Sequence, residues 1–237
     1  AAGDLVAGRF RIVRFIAQGG MGEVYEAEDL ELREHVALKT VRPAFGHDEF
    51  ALERFRREVL LARRVTHPNV CRIFDVFRHR SDDNPVTGEP QAELVFLTME
   101  LLAGRTLAEH LRRNGPLPLS EALELAGQMA SGLEAAHRAG VTHRDFKSNN
   151  VVLEPQREGG PRVVVTDFGL AGAATEKAQP HDGTGLTMGT PAYMAPEQVE
   201  GGEVGPAADI YALGVVLYEM VTGRLPFVAL TAHATAT

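Results

Sequence analysis

The chain has 237 residues, 44% of them hydrophobic and 24% charged, which is enough apolar sequence for a sizeable core divided over two lobes. A formal net charge of -8 offers no basic footprint for nucleic acid and keeps attraction to anionic membrane surfaces weak. The single cysteine, Cys71, excludes an internal disulfide framework and suits a reducing compartment, and the nine histidines show no metal-site spacing.

In chain order, residues 10–16 read as a strand, followed by Gln18-Gly19-Gly20-Met21-Gly22-Glu23-Val24 and the start of another. Glycines in such a turn let backbone amides approach phosphate oxygens with no side chain in the way. Val36-Ala37-Leu38-Lys39 is an apolar strand that ends on an ammonium, costly to desolvate without a carboxylate partner. Residues 49–64 carry Leu52, Phe55, Val59 and Ala62 at helical spacing, with Glu58 on the apolar edge of that stripe. Val70-Cys71-Arg72-Ile73-Phe74 is strand-like, residues 78–91 form a polar loop, and the apolar run 94–99 leads through Glu100 to Gly104 as a linker between lobes. Ser120 is expected to cap a helix whose Leu123, Ala126, Ala130 and Leu133 repeat on one face and which stops at Gly140.

The chemistry concentrates after that helix. His143-Arg144-Asp145-Phe146-Lys147-Ser148-Asn149-Asn150 and Asp167-Phe168-Gly169 flank Val151-Val152-Leu153, a Glu158-Gly159-Gly160-Pro161 turn and Val163-Val164-Val165. That is a hairpin signal, and a hairpin brings Asn150 and Asp167 near one another. A triphosphate repels an attacking hydroxyl, so transfer of its end group needs hard oxygen ligands for divalent cations, a positioned cation and a proton acceptor. Asp145, Lys147, Asn150 and Asp167 are side chains of those kinds. Residues 170–188 lack periodicity, Gly189-Thr190-Pro191-Ala192-Tyr193-Met194-Ala195-Pro196-Glu197 follows, and residues 210–218 form an uncharged helix too short to span a membrane and expected to be buried.

These strings, in this order, resemble the protein kinase superfamily, and most nearly its bacterial serine/threonine members. The resemblance implies an α+β, two-lobed fold: a β-rich N-lobe with one main helix over 1–99, a hinge at 100–104, and a mostly helical C-lobe over 105–237 that lacks its last helices. It implies ATP and Mg2+ as cofactors. ATP would be bound by Ala17 (where the family pattern opens with glycine), Gln18, Gly19, Gly20, Gly22, Val24, Ala37, Lys39, Met99, Glu100, Leu102 and Val152. Lys39 would anchor phosphates and be held by Glu58; Asp145 would accept the substrate hydroxyl's proton, Lys147 would face the gamma phosphate, and Asn150 and Asp167 would hold metal. Residues 170–188 would be an activation segment carrying phosphorylation at Thr184 or Thr187, with Arg144 pairing to that phosphate and Thr190 hydrogen-bonding toward Asp145 and Lys147. Asp209 would receive backbone amides of the catalytic loop.

The implied function is transfer of the ATP gamma-phosphoryl group to protein Ser/Thr hydroxyls, with self-phosphorylation or dimerisation compatible with it. The implied setting is cytoplasmic, alone or as the cytoplasmic part of a longer membrane-anchored protein. The resemblance also implies a fragment, because a complete kinase continues with further helices, one of which pairs an arginine with the glutamate matched by Glu197. The expectation is an uncovered, association-prone patch near Ile210. The alternative is a catalytically weak or inactive nucleotide-binding or interaction module.

Overall fold

The computed structural model describes residues 2–19, 22–41, 49–79, 94–168 and 191–227, without the side chains of 49–52 and 54. Its contacts divide the chain into two compact units, Ala1–Arg63 with Arg72–Leu102, and Arg64–Cys71 with Ala103–Thr237.

The first unit is built on a six-stranded antiparallel sheet. Its strands are β1 (Leu5–Val6), β2 (Phe10–Gly19), β3 (Gly22–Asp29), β4 (Glu34–Val41), β5 (Ile73–His79) and β6 (Leu94–Met99), in the spatial order β1-β2-β3-β4-β6-β5. Helix α1, Glu49–Ala62, packs against β5 and buries Phe55, Val59 and Ala62. Val36, Ala37, Leu38 and Lys39 are consecutive and all buried, so β4 is covered on both faces. Phe10, Ile12, Ala27, Val36, Leu38 and Phe96 make one core cluster, with Phe77 edge-on to Phe10 at 4.8 Å and stacked on Phe96 at 5.4 Å. Burying each such aromatic contributes about 1.5–3 kcal/mol.

At the rim of this core Asp29, only 2% exposed, accepts two hydrogen bonds from the Arg9 guanidinium at 2.8 and 2.6 Å, and backbone amides of Glu31 and Leu32. The Arg9 hydrogen bond, aided by those amides, holds the Asp29 carboxyl below its ordinary value despite burial. A depressed folded-state value stabilises the fold above the unfolded pKa of about 3.9, and that contribution disappears as pH falls through the folded value. The melting gap between wild type and Asp29→Asn is therefore expected to be full at pH 7 and to close below about pH 4. Melts at both values test it, and a gap independent of pH would contradict the assignment.

The second unit joins a three-stranded sheet to helices. β7 (Arg105–Thr106), β8 (Val151–Glu154) and β9 (Arg162–Val165) are antiparallel neighbours, with Val151 opposite Val165 and Leu153 opposite Val163. Gly104 leads into β7 so close to β8 that a Cβ there would stand 2.3 Å from the Leu153 carbonyl oxygen, which only glycine tolerates. Helix α2, Leu107–Asn114, starts with a capping box in which Thr106 Oγ1 accepts from the Glu109 amide and Glu109 reaches back to the Thr106 amide. α3 spans Leu119–Arg138, α4 Pro196–Val199 and α5 Pro206–Thr222, with short 3-10 turns at Ser148–Asn150 and Pro191–Tyr193. α3 packs on α5, and Met129, Leu133, Val216 and Met220 are among the fully buried side chains of this unit.

Four expectations need correction. Ser120 does not cap α3: Pro118 is the N-cap, without a side-chain hydrogen bond, and Ser120 lies inside the helix. Its buried face is Ala122, Leu125, Met129, Gly132, Leu133 and Ala136, whereas Leu123 is 52% exposed. α5 is not buried all round: Ala208, Asp209, Ala212, Val215, Val216 and Met220 face inward, while Ile210 is 55% and Tyr218 39% exposed. Finally, Arg64–Cys71 belongs with the second unit rather than the first. Asn69 explains why: its Nδ2 donates to the Val163 carbonyl at 2.7 Å and to Gln128 Oε1 at 3.0 Å, and its carbonyl accepts from the Val165 amide.

Candidate active site

The site residues are distributed over the two units. In the first, Ala17, Gln18 and Gly19 end β2, and Gly22 and Val24 open β3. Gly19 pairs with Gly22; Gly20 and Met21 lie outside the described residues. Gly22 has φ +154°, and a Cβ on it would meet the Thr40 carbonyl oxygen at 1.9 Å. Thr40 Oγ1 accepts from the Glu23 amide at 3.0 Å, tying the end of the glycine-rich turn to the strand that carries Lys39. Ala37 and Lys39 are buried in β4, Lys39 opposite Val24 and Leu97; Glu58 is half-buried on α1, next to fully buried Val59. Met99 ends β6, and the Glu100 amide donates to the Arg72 carbonyl at 2.9 Å. The change of unit falls after Leu102.

In the second unit the catalytic-loop candidates form one connected set. Lys147 Nζ lies 2.7 Å from Asp145 Oδ2, both side chains about one-fifth exposed, at 18% and 22%. Asn150 Nδ2 donates to the Asp145 carbonyl at 2.8 Å. That bond fixes which end of the amide carries nitrogen, and turns the hard Oδ1 oxygen to the opposite side. The Asn150 carbonyl accepts from the Thr166 amide at 2.8 Å, so the β8–β9 hairpin sets Asn150 beside the residue preceding Asp167. Asp167 has φ +67°, a left-handed conformation that aspartate tolerates better than most residues and that redirects the chain at this point. Val152 is in β8 between Thr106 and Val164.

The loop is held from beneath. Asp209, 1% exposed, accepts from the His143 and Arg144 amides at 2.8 Å each, and lies 2.7 Å from His137 Nε2. His143 is fully buried between Phe146 and Phe168, with Nε2 2.9 Å from the Thr166 carbonyl and Nδ1 accepting from the Asp145 amide at 3.3 Å. It is a structural pin. Tyr193 Oη donates to Glu219 at 2.7 Å and meets Ser148 Oγ at 3.0 Å, and burial pushes its hydroxyl well above the ordinary tyrosine value. Sequence reading missed His137, Thr40, Ser148 and Glu219; each acts through hydrogen bonds to a residue distant in sequence that no local spacing signals.

The donor set fits magnesium. Among the described residues no group of three or more His, Cys, Asp or Glu side chains could hold a metal. Magnesium held by one or two side-chain oxygens plus substrate phosphates requires no such group, and the Asp167 carboxylate and the Asn150 amide oxygen are donors of that kind. Gly20, Thr184, Thr187 and Thr190 lie outside the described residues.

Residues 10–236 match the family model described as protein kinase domain. The chain belongs to the protein kinase domain family. It is 40% identical over 225 residues to the serine/threonine-protein kinase PknA of Mycobacterium tuberculosis, covering 95% of this chain and 49% of that one. It is 38% identical over 225 residues to the serine/threonine-protein kinase PrkC of Bacillus subtilis, covering 95% of this chain and 32% of that one. The chain thus spans half or less of the length of these relatives. A crystal structure of the Mycobacterium tuberculosis PknI kinase domain, a C20A_R136N double mutant, superposes with a TM-score of 0.72 at 29% identity, covering 95% of this kinase domain and 80% of that chain. The fold is therefore the protein kinase fold. Among the described residues no helix is long and apolar enough to cross a membrane.

Proposed function

We propose that this kinase domain transfers the gamma-phosphoryl group of ATP to serine and threonine hydroxyls of protein substrates. The observation that supports it most is the connected set Lys147–Asp145–Asn150, with Asn150 tied by its carbonyl to the residue before Asp167. Asp145 accepts the proton of the attacking hydroxyl, and Lys147 both holds that carboxylate and faces the transferring phosphate. Asp167 and the Oδ1 of Asn150 would hold magnesium, which when bound would neutralise charge on the phosphates. Lys39, kept by Glu58, holds the inner phosphates; the backbone from Ala17 to Gly22 covers them; Val24, Ala37, Met99, Glu100, Leu102 and Val152 receive the adenine end. Arg144 is the guanidinium to which a phosphate on Thr184 or Thr187 would pair, and Thr190 bonds toward the Asp145–Lys147 pair.

Incubating the purified chain with labelled ATP and a generic protein substrate tests the reading. Magnesium-dependent label is expected on serine and threonine and not on tyrosine. Label that never exceeds the metal-free background would refute it.

A further inference from the structure

The geometry points to Gln198 as a positioning residue that locks the peptide group in front of Asp145 by bridging it to the start of α4. Arg144 has φ +64°, a left-handed conformation that is strained for a non-glycine residue and persists only where surrounding contacts impose it. Asp209 takes the Arg144 amide, which fixes the peptide on one side. The peptide on the other side, which leads into Asp145, is held at both ends: its N–H donates to His143 Nδ1 at 3.3 Å and its carbonyl accepts from Gln198 Nε2 at 2.8 Å. The opposite end of the same side chain, Gln198 Oε1, accepts from the Ala195 amide at 3.0 Å. One planar amide therefore spans two segments about fifty residues apart, donating to the catalytic loop and accepting from the residue before α4. Arg144, Asp145, Tyr193, Met194 and Gln198 also line one shallow recess there.

A side chain in this place couples the conformation of the chain around Ala195 to the direction in which Asp145 points. Glutamine suits both ends at once. Glutamate keeps the acceptor toward Ala195 but sets an oxygen against the Arg144 carbonyl; methionine fills similar space and makes neither bond. If Gln198 merely caps α4, glutamate should be harmless. If it positions Asp145, glutamate and methionine should both be damaging.

This inference rests on the reading of Asp145 as proton acceptor, and the test separates the two. Gln198→Glu and Gln198→Met are each expected to lower kcat roughly 10- to 100-fold, the scale of a misplaced catalytic group, with KM for ATP changed less than about threefold. Both are expected to speed amide hydrogen exchange at Asp145 about tenfold without nucleotide, while the melting temperature moves by no more than a few degrees. Exchange at Asp145 unchanged in both variants, or a Gln198→Glu enzyme with wild-type kcat, would overturn the link. Were the wild-type chain to transfer no phosphate, the proposed function would fail, and the exchange measurement would still decide the role of Gln198.

Discussion

Asp145→Asn is expected to cut phosphoryl transfer by about 10²- to 10⁴-fold, the range that removal of a general base produces. The substitution keeps the shape of the side chain and removes its basicity. The shorter bonds that hold the loop pass through the backbone: Asn150 Nδ2 donates to the Asp145 carbonyl at 2.8 Å and reaches its Oδ2 only at 3.5 Å, and the Asp145 amide reaches His143. The lost ion pair to Lys147 is partly solvated at both ends, so it contributes at most about 1 kcal/mol to stability. The melting temperature and the affinity for ATP should therefore stay close to wild type while kcat collapses. A variant that kept more than a tenth of the wild-type rate would remove Asp145 from the reaction. Measuring kcat and nucleotide affinity on the same preparation makes that decision.

The contrast between activity and stability also explains what the sequence could and could not reveal. The proximity of the candidate residues Asn150 and Asp167 was legible because they lie on either side of one hairpin: two β-branched runs and a Gly-Gly-Pro turn fix their own pairing, and Val151 opposite Val165 follows from local rules. The six-stranded sheet was partly legible for the same reason. Asn69 was not, because its bond to the Val163 carbonyl crosses 94 positions and leaves no periodic trace. The inward face of α3 was misjudged through its composition. Alanine, glycine and leucine stand at several phases of the helical repeat, so two adjacent stripes look equally apolar, and only packing on α5 and β9 selects Ala122, Leu125 and Met129 over Leu123. Gln198 follows a motif glutamate and reads as an ordinary helix residue. Its two bonds exist because the tertiary fold brings the Arg144 carbonyl within reach.

Asp209→Ala should show the opposite signature, with stability lost together with activity. The carboxylate is 1% exposed and serves two backbone amides and the His137 ring. Truncation leaves a buried donor at His143 and a part-buried one at Arg144 without an acceptor, at about 1–3 kcal/mol each, and removes the contact that offsets the left-handed strain at Arg144. A total of roughly 3–6 kcal/mol is a large share of the stability of an ordinary domain, and corresponds to a melting temperature lower by about 6–24 °C for a chain of this size. Asp209→Asn retains one acceptor oxygen, turns an N–H toward one of the two amides, and should fall between wild type and alanine. Thermal melts of the three proteins check the order. An alanine variant that melts with wild type would mean that water or a rearranged loop satisfies both amides, and that Asp209 does not hold the catalytic loop in place.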